Sequence, residues 1–256
     1  MNTAPPVQAP PAPPRPPTWS ARLRRAPVTF GVMAATGTVF LLQIGAQTIL
    51  GFDWLLELGA KDNGAILAGQ VWRLVTPVFI HAGLLHLGVN MYSLFALGPP
   101  VERFFGTPRM LALYLLSGVS GVIFSMAFTP GRSVGASGAI FGLLGALAMF
   151  LYLHRGLFGR AGGMQLQQLI LVAALNLYVG AQTPAIDLWG HIGGLVAGAA
   201  CAAFFGPQLA PQLALGLPAG LADRRPWPEV WPRVAMAALG VGAAGIMAMI
   251  VAAQSL

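Results

Sequence analysis

The amino-acid sequence predicts an all-α fold, a polytopic bundle of transmembrane helices. Two observations lead to this fold class. Only 8% of the 256 residues are charged, whereas soluble globular domains carry roughly 25%. Hydrophobic residues make up 56% of the chain, and many of them gather in long runs that contain no Asp, Glu, Lys or Arg. This deficit of charge is typical of a multi-spanning membrane protein.

Seven uncharged runs define the predicted helices. Most of them approach or reach the roughly 20 residues that a helix needs to cross a bilayer. Polar residues interrupt the second and fifth runs, so these two indicate a membrane span less directly. In order, the runs are Val28–Leu50, Leu84–Val101, Met110–Phe128, Ser137–Leu153, Leu166–Ala181, Leu188–Phe205 and Val234–Ala253.

The segments between the runs predict the remaining organisation. Residues 1–25 include the run APPAPPRPP, which neither a helix nor a packed core accommodates, so we expect a disordered cytoplasmic tail. Loop 51–83 is rich in Leu, Trp and Phe and is expected to lie partly in the membrane interface. Residues 207–231 are Pro-rich and basic, and predict a cytoplasmic linker. The segment 232–256 then holds the seventh helix and an outer C-terminus.

Basic residues predict the orientation of the chain. With a cytoplasmic N-terminus, the outer side receives only Lys61, Arg73 and Arg132, and this imbalance follows the positive-inside rule. It predicts a cytoplasmic N-terminus and an external C-terminus, and it explains the net charge of +7 without a nucleic-acid partner. The cytoplasmic side receives Arg15, Arg22, Arg24, Arg25, Arg103, Arg109, Arg155, Arg160, Arg224, Arg225 and Arg233.

Histidines mark one end of the predicted bundle. His81, His86 and His191 all fall at the outer ends of spans. Ionisable groups at membrane depth are costly and usually functional, so a shared polar site open to the outside is the economical interpretation. We interpret His154, at the opposite end, as an interfacial residue, and the single cysteine, Cys201, as a packing residue.

Ser137 is the candidate nucleophile. It opens the fourth run, between Gly135 and Gly138, which leave its hydroxyl uncrowded. As a helix, the run would extend for about 26 Å, whereas the hydrocarbon core of a bilayer is about 30 Å thick. If the run ends at the inner surface of that core, the hydroxyl of Ser137 lies several ångströms below the outer surface. The helix N-terminus favours negative charge on that oxygen. The alternative interpretation is a serine that caps the helix.

Glycine spacing brings a candidate base into reach. The sixth run carries Gly190, Gly194 and Gly198 at intervals of four, which forms one small-residue stripe on a helix. Close packing of this stripe on the fourth run would bring His191 within hydrogen-bond distance of Ser137, the pairing that acyl transfer requires. The alternative is a histidine bonded to a backbone carbonyl. The small face of the fourth run consists of Gly138, Gly142, Gly145 and Ala146.

His86 and Asn90 supply the candidate oxyanion donors. They lie four residues apart, on one helix face, and with the Ser137 backbone N–H they would form an oxyanion hole. Hydrogen bonds between helices are the alternative role. His81 does not share their stripe, and we assign it to the outer rim of the site. Asp187 precedes His191 by four residues. It could be a third catalytic residue, but the interpretation we prefer is a carboxylate at the helix N-terminus.

Taken together, these residues resemble the rhomboid proteases across about residues 28–206. Trp72 and Arg73 resemble a loop motif of that family, and Glu102-Arg103 with Gly106 resembles its cytoplasmic turn. The resemblance implies a rhomboid-like six-helix core, over residues 26–206, with an additional seventh helix. The residues that carry it are His81, His86 and Asn90, then Gly135, Ser137 and Gly138, then His191 followed by Gly194 and Gly198.

The resemblance implies an intramembrane serine endopeptidase in which Ser137 and His191 form a dyad. Its substrates would be single-span membrane proteins, cleaved within the lipid bilayer in or near their transmembrane helices. His86 and Asn90 would stabilise the oxyanion, and Phe141 takes the place of an aromatic residue that packs on the histidine. No metal or organic cofactor is implied. We expect a bacterial inner membrane as the location.

Three other readings stay open. Zinc could be bound by His81, His86 and His191. Against this hypothesis, the sequence has no H-E-x-x-H motif and no carboxylate at membrane depth to act as a base. A non-proteolytic protein of the same fold could bind membrane helices, although such relatives usually lose the serine or the histidine. A transporter would show an inverted repeat or paired broken helices, which we do not find.

Overall fold

The computed structural model describes residues 19–214 and 217–254. Residues 1–18 of the predicted tail lie outside this part of the chain, whereas its last seven residues form a short helix. The described elements are α1 (Trp19–Arg25), α2 (Pro27–Leu50), α3 (Trp54–Gly59), α4 (Asn63–Leu67), two 3₁₀ turns (Val71–Leu74 and Thr76–Phe79), α5 (Leu84–Phe105), α6 (Thr107–Phe128), α7 (Ser137–Leu153), α8 (Arg155–Gln182), α9 (Leu188–Phe205), β1 (Leu209–Ala214), β2 (Leu217–Asp223) and α10 (Trp227–Ala253).

The all-α fold class is confirmed, because each predicted run lies within one long helix, α2 or α5 to α10. Five of these, α2, α6, α8, α9 and α10, are long and apolar enough to cross a membrane. Helix α7 is apolar but has only 17 residues. Helix α5 falls outside the group, as the polar interruptions of the second run suggested, whereas α8, which contains the similarly interrupted fifth run, lies within it. Helix α8 is kinked at Gly159, which has φ 53°.

Helix α7 lies at the centre of the bundle. It is apolar on all sides, as expected of a helix that is buried all round, and it packs against α5, α6, α8 and α9. Its Leu143 and Leu147 are fully buried and join the same core as Leu113 of α6 and Phe205 of α9. The first residue of this central helix, Ser137, therefore has a rigid support.

Helices α7 and α9 approach to backbone contact. A Cβ atom placed on Gly198 would lie 1.9 Å from the carbonyl oxygen of Gly142, and one on Gly145 would lie 2.2 Å from that of Leu195. Only glycine permits such an approach, which is the packing that the two glycine stripes predicted.

Glu102 connects the C-terminal end of α5 to the N-terminal end of α2. Its carboxylate accepts hydrogen bonds from the backbone N–H of Val28 and of Thr29, both at 2.9 Å, and from the Thr29 hydroxyl at 2.8 Å. These donors lie in the first turn of α2, where backbone N–H groups have no partner within the helix. A buried carboxylate therefore serves as the cap of a neighbouring helix.

The segment that we predicted as a linker, 207–231, contains an antiparallel β-hairpin that the sequence analysis did not predict. Leu209 pairs with Asp223 at its base. The Asp223 carboxylate forms an ion pair with Arg109 of α6 at 2.8 Å, and the Leu209 N–H donates to Nε2 of His154 at 3.0 Å. His154 is thus buried and bonded to the hairpin, rather than being a simple interfacial residue. Helix α10 begins at Trp227, before the predicted residue 232.

Candidate active site

Ser137 is the first residue of α7, and Ala136 occupies the capping position before it. No side chain caps this helix N-terminus, so the structure does not support the alternative that Ser137 is a capping serine. Its hydroxyl is instead directed to α9, where Nε2 of His191 lies 2.8 Å from Oγ. The two residues are 54 positions apart in the chain, and the close approach of α7 and α9 brings them together.

The imidazole of His191 is held between two helices. The ring of Phe141, one turn after Ser137 on α7, stacks on it with centroids 4.4 Å apart and planes inclined by 14°. The other ring nitrogen, Nδ1, is buried and has no hydrogen-bond partner within the described part of the chain. When Nε2 accepts a hydrogen bond from the Ser137 hydroxyl, Nδ1 carries the single ring proton of the neutral imidazole. The orientation of the ring therefore comes from stacking.

Asp187 does not contact that free nitrogen. Its Oδ1 accepts a hydrogen bond from the Gly190 N–H at 2.9 Å and caps α9. The carboxylate thus performs the role at the helix N-terminus that we preferred from the sequence. Among the described residues, no carboxylate forms a hydrogen bond with His191.

The backbone before Ser137 passes closely over His86. Gly135 has φ 126°, a conformation that favours glycine, and its N–H donates to the Pro77 carbonyl at 2.8 Å. A Cβ atom on Gly135 would lie 2.7 Å from the His86 ring. Any larger residue at this position would push the imidazole of His86 away from the segment that leads to Ser137.

Asn90 lies one turn below His86 on α5 and is 4% exposed. Its amide nitrogen donates to the His86 carbonyl at 2.9 Å. One of its two N–H groups is therefore used within its own helix, and the second remains for another acceptor. His86 lies against Gly135, but the structure shows no bond from His86 or Asn90 to Ser137.

His81 is buried, with 1% of its surface exposed, whereas we had expected it at the outer rim. Its ring lies 5.0 Å from that of His86, measured between centroids, and its Nε2 accepts a long hydrogen bond of 3.5 Å from the Ala136 N–H. Burial, together with the neighbouring His86 imidazole, lowers the pKa of His81 to about 4. The ring is therefore neutral at physiological pH and able to accept this bond.

Gln43 fixes the backbone at His81, and the sequence analysis did not identify it. Its side-chain oxygen accepts from the His81 N–H and its nitrogen donates to the His81 carbonyl, both at 3.1 Å. The same nitrogen donates to Asp53 at 2.7 Å. The only available signal was an amide within a long uncharged run, and that run holds a second amide, Gln47.

The outer loop is organised by Arg73 and Trp72. The Arg73 guanidinium is buried and donates to the carbonyls of Ala60 at 2.7 Å and Glu57 at 2.8 Å. The Trp72 indole donates to the Leu58 carbonyl at 3.0 Å. Both residues therefore hold α3 against the first 3₁₀ turn, and neither lines the cavity beside Ser137.

Lys61 connects this outer loop to the segment that precedes Ser137. Its backbone exchanges two hydrogen bonds with Ser133, of 2.9 and 3.2 Å, and its ammonium donates to the carbonyls of Thr129 and Gly131. The residue is fully buried, and this burial lowers its pKa to about 8, partly offset by Asp187 and Asp62. We had read Lys61 only as an outer basic residue.

A small cavity lies beside the pair formed by Ser137 and His191. Its volume is about 30 Å³, enough to hold a water molecule. Across residues 19–214 and 217–254, no group of three or more His, Cys, Asp or Glu residues is arranged to hold a metal ion. The lining includes Pro77, Val78, Gly135, Ser137, Asp187 and His191.

Comparison with known proteins places this architecture in one family. A model of the Rhomboid domain matches residues 68–208. The chain is 42% identical over 167 residues to Rhomboid protease GluP of Bacillus subtilis. The aligned residues cover 65% of this chain and 32% of the relative. It is 41% identical over 147 residues to RHOMBOID-like protein 5 of Arabidopsis thaliana, covering 56% of this chain and 47% of the relative.

A third relative comes from Toxoplasma gondii. The chain is 32% identical over 156 residues to Rhomboid-like protease 3 of Toxoplasma gondii, covering 60% of this chain and 59% of the relative. The chain therefore spans less than two thirds of the length of each of these relatives. The matched region contains both Ser137 and His191, and also His86 and Asn90.

Proposed function

The chain belongs to the rhomboid family, and from that membership we propose that it is an intramembrane serine endopeptidase. The single observation that supports this most strongly is the distance of 2.8 Å between Oγ of Ser137 and Nε2 of His191. A hydroxyl and an imidazole at this separation form the nucleophile–base pair of acyl transfer. The names of two similar proteins, from Bacillus subtilis and Toxoplasma gondii, include the word protease.

In the proposed mechanism, Oγ of Ser137 attacks the carbonyl carbon of the scissile peptide bond while Nε2 of His191 removes the hydroxyl proton. The resulting imidazolium returns this proton to the leaving amine as the C–N bond breaks, which leaves an acyl group on Ser137. A water molecule, deprotonated by the same nitrogen, then attacks the ester carbonyl carbon. The imidazolium gives that proton to Oγ of Ser137 as the ester C–O bond breaks, which releases the acid and restores the free serine. His191 acts as base and acid in turn, and no external reactant other than water is needed.

The negative charge of the tetrahedral intermediate requires hydrogen-bond donors. The Ser137 N–H is available for this role because the first N–H groups of a helix have no partner within it, and α7 lacks a side-chain cap. His86 lies against Gly135, and Asn90 has a second amide N–H. We propose these three groups as the oxyanion hole, in which each donor typically contributes a factor of about 100–1000 to the rate.

The proposed substrates are single-span membrane proteins whose helices can unwind near small residues. The catalytic pair lies at the end of the bundle where Lys61, Arg73 and Arg132 are found, opposite the Arg-rich end. By the positive-inside rule the site would open to the exterior, with the N-terminus in the cytoplasm and the C-terminus outside. A bacterial inner membrane is the proposed location.

The test is cleavage of a fluorogenic transmembrane substrate by the purified protein in proteoliposomes. We expect Ser137→Ala and His191→Ala each to lower kcat/KM by at least about a thousandfold. Ser117→Ala is the matched control, because its buried hydroxyl has no hydrogen-bond partner in the described structure, and it should retain activity. Cleavage by Ser137→Ala at the wild-type rate would reject the proposal.

A further inference from the structure

An apolar groove separates α9 from α10 along the flank of α6. Its volume is about 310 Å³. Along α10 it extends from Ala237 to Ala244, a rise of about 10 Å, which fits within one hydrocarbon leaflet of about 15 Å. The groove arises because small residues face it from α9 and α10. Its lining includes Ser120, Phe124, Cys201, Phe204, Ala237 and Gly240.

Two arginines lie at the Arg-rich end of this groove. Phe204 lines the groove, and its carbonyl accepts from Nη1 of Arg225 at 3.4 Å and from Nη1 of Arg233 at 3.3 Å. Arg233 also precedes Ala237 by one helical turn on α10. Each guanidinium has five N–H donors, so most of them remain available for another ligand.

The charge at this end of the groove is incompletely neutralised. Asp223 forms its ion pair with Arg109, and within the described residues no carboxylate lies within ion-pair distance of Arg225 or Arg233. Burial and the nearby Arg233 lower the pKa of Arg225. The segment 223–233, together with Arg109 that is bonded to it, carries four arginines and two carboxylates, namely Arg109, Arg224, Arg225, Arg233, Asp223 and Glu229. This excess of positive charge favours an anion.

Aromatic residues indicate the depth of this cluster in the membrane. Trp227 and Trp231 lie in the first turns of α10, with ring centroids 6.2 Å apart, and Trp231 is exposed. Tryptophan concentrates at the level of the lipid headgroups. Arg225 and Arg233, which flank these residues in the chain, are therefore expected at the same level, with the groove extending from them into the hydrocarbon.

We propose that this groove binds one anionic phospholipid, with its phosphate on Arg225 and Arg233 and one acyl chain between α9 and α10. Guanidinium groups match phosphate oxygens in geometry and charge, and basic pockets between membrane helices on the positively charged side bind acidic headgroups. An anionic lipid supplies both a charge for the arginines and an apolar chain for the groove. A second copy of this chain would bring further arginines to the same positively charged cluster, so charge complementarity favours the anionic lipid as the occupant.

Native mass spectrometry of the detergent-solubilised full-length protein tests this site. The protein is titrated with dioleoyl-phosphatidylglycerol, with dioleoyl-phosphatidylcholine and with inorganic phosphate. We expect phosphatidylglycerol to bind at least about tenfold more tightly than phosphatidylcholine, and the double variant Arg225→Gln/Arg233→Gln to lose this preference. The matched control Arg155→Gln/Arg160→Gln removes the same charge from exposed positions of α8 and should leave the preference unchanged.

A second variant tests the groove while keeping both arginines. Gly240 has open space around its Cβ position, so Gly240→Leu should fold and should weaken the binding of both lipids by several-fold. Equal affinity for the two lipids, or an equal loss in the Arg155→Gln/Arg160→Gln control, would overturn the proposal. It would also be overturned by unchanged binding to Gly240→Leu, by phosphate binding as tightly as phosphatidylglycerol, or by a dimer in place of the lipid adduct. The measured mass identifies the bound species, and the relative abundance of each adduct along the titration gives its affinity.

Discussion

The carbonyl oxygen of Gly138 occupies the space in which a side chain on Gly194 would begin. An ideal Cβ atom on Gly194 would lie 2.0 Å from that oxygen, far inside van der Waals contact. Gly138 follows Ser137 directly, and Gly194 lies three residues after His191. The contact between these two glycines therefore fixes the distance between the helices at the depth of the proposed catalytic pair.

The first prediction concerns this contact. Gly194→Ala should force α9 away from α7, lower the free energy of unfolding by about 1–3 kcal/mol and lower kcat/KM at least tenfold. Gly37→Ala in α2 is the control, since open space surrounds its Cβ position, and it should be neutral or stabilising because alanine favours helix. Unfolding in mixed micelles and cleavage assays measure both effects. Normal stability and activity in Gly194→Ala would contradict the packing described above.

The second prediction separates the two roles considered for Asp187. As a helix cap, the carboxylate can be replaced by an amide, so Asp187→Asn should keep kcat within about threefold, and Asp187→Ala should cost about 1 kcal/mol of stability. As a catalytic third member, Asp187→Asn would lower kcat by about 10⁴-fold. Measuring kcat for the two variants distinguishes these outcomes, and a collapse of kcat in Asp187→Asn would assign Asp187 to catalysis.

The third prediction tests the proposed oxyanion hole. Asn90→Ala should lower kcat by roughly a hundredfold with little change in KM, because the lost donor acts on the transition state rather than on the bound substrate. Asn176→Ala is the matched control: its amide also donates to a carbonyl four residues earlier, that of Val172, but it lies on α8. A purely structural role for Asn90 would instead appear as lower stability with unchanged kcat in the folded fraction.

The fourth prediction concerns pH and Lys61, the only lysine in the chain. Its pKa is about 8 in the folded protein, compared with 10.5 for an unperturbed lysine. Between these values the unfolded chain binds more protons, so stability should rise with pH, by up to about 3 kcal/mol in total. Below pH 8 both states are protonated and this contribution is constant. Lys61→Met should lack the rise, which denaturation at pH 7 to 10.5 would reveal. If the free energy of unfolding changed with pH in the same way for the wild-type protein and for Lys61→Met, the prediction would be contradicted.

The sequence predicted the helices well because charge is excluded from lipid. Each uncharged run lies within one helix, and the glycine stripes correctly predicted which two helices come into contact. The β-hairpin of residues 209–223 was not predictable in this way, because its strands contain prolines and glycines and have no clear alternation. Its position depends on the long-range ion pair between Arg109 and Asp223.

The candidate site was predictable only in part. Ser137, His86 and His191 could be selected as candidates because polar groups are rare at membrane depth. The residues that position them could not, because their roles depend on backbone carbonyls that no sequence pattern reveals. Gln43 binds the backbone of His81, and Lys61 binds the carbonyls of Thr129 and Gly131. Such contacts appear only when loops that are distant in the chain are folded together.

The most direct test of the proposed catalytic pair is labelling with a fluorophosphonate probe, which reacts with an activated serine. After proteolysis, mass spectrometry identifies the modified residue. We expect the wild-type protein to carry the label on Ser137 alone, and both Ser137→Ala and His191→Ala to remain unlabelled. A label on another serine, or undiminished labelling of His191→Ala, would contradict activation of Ser137 by His191.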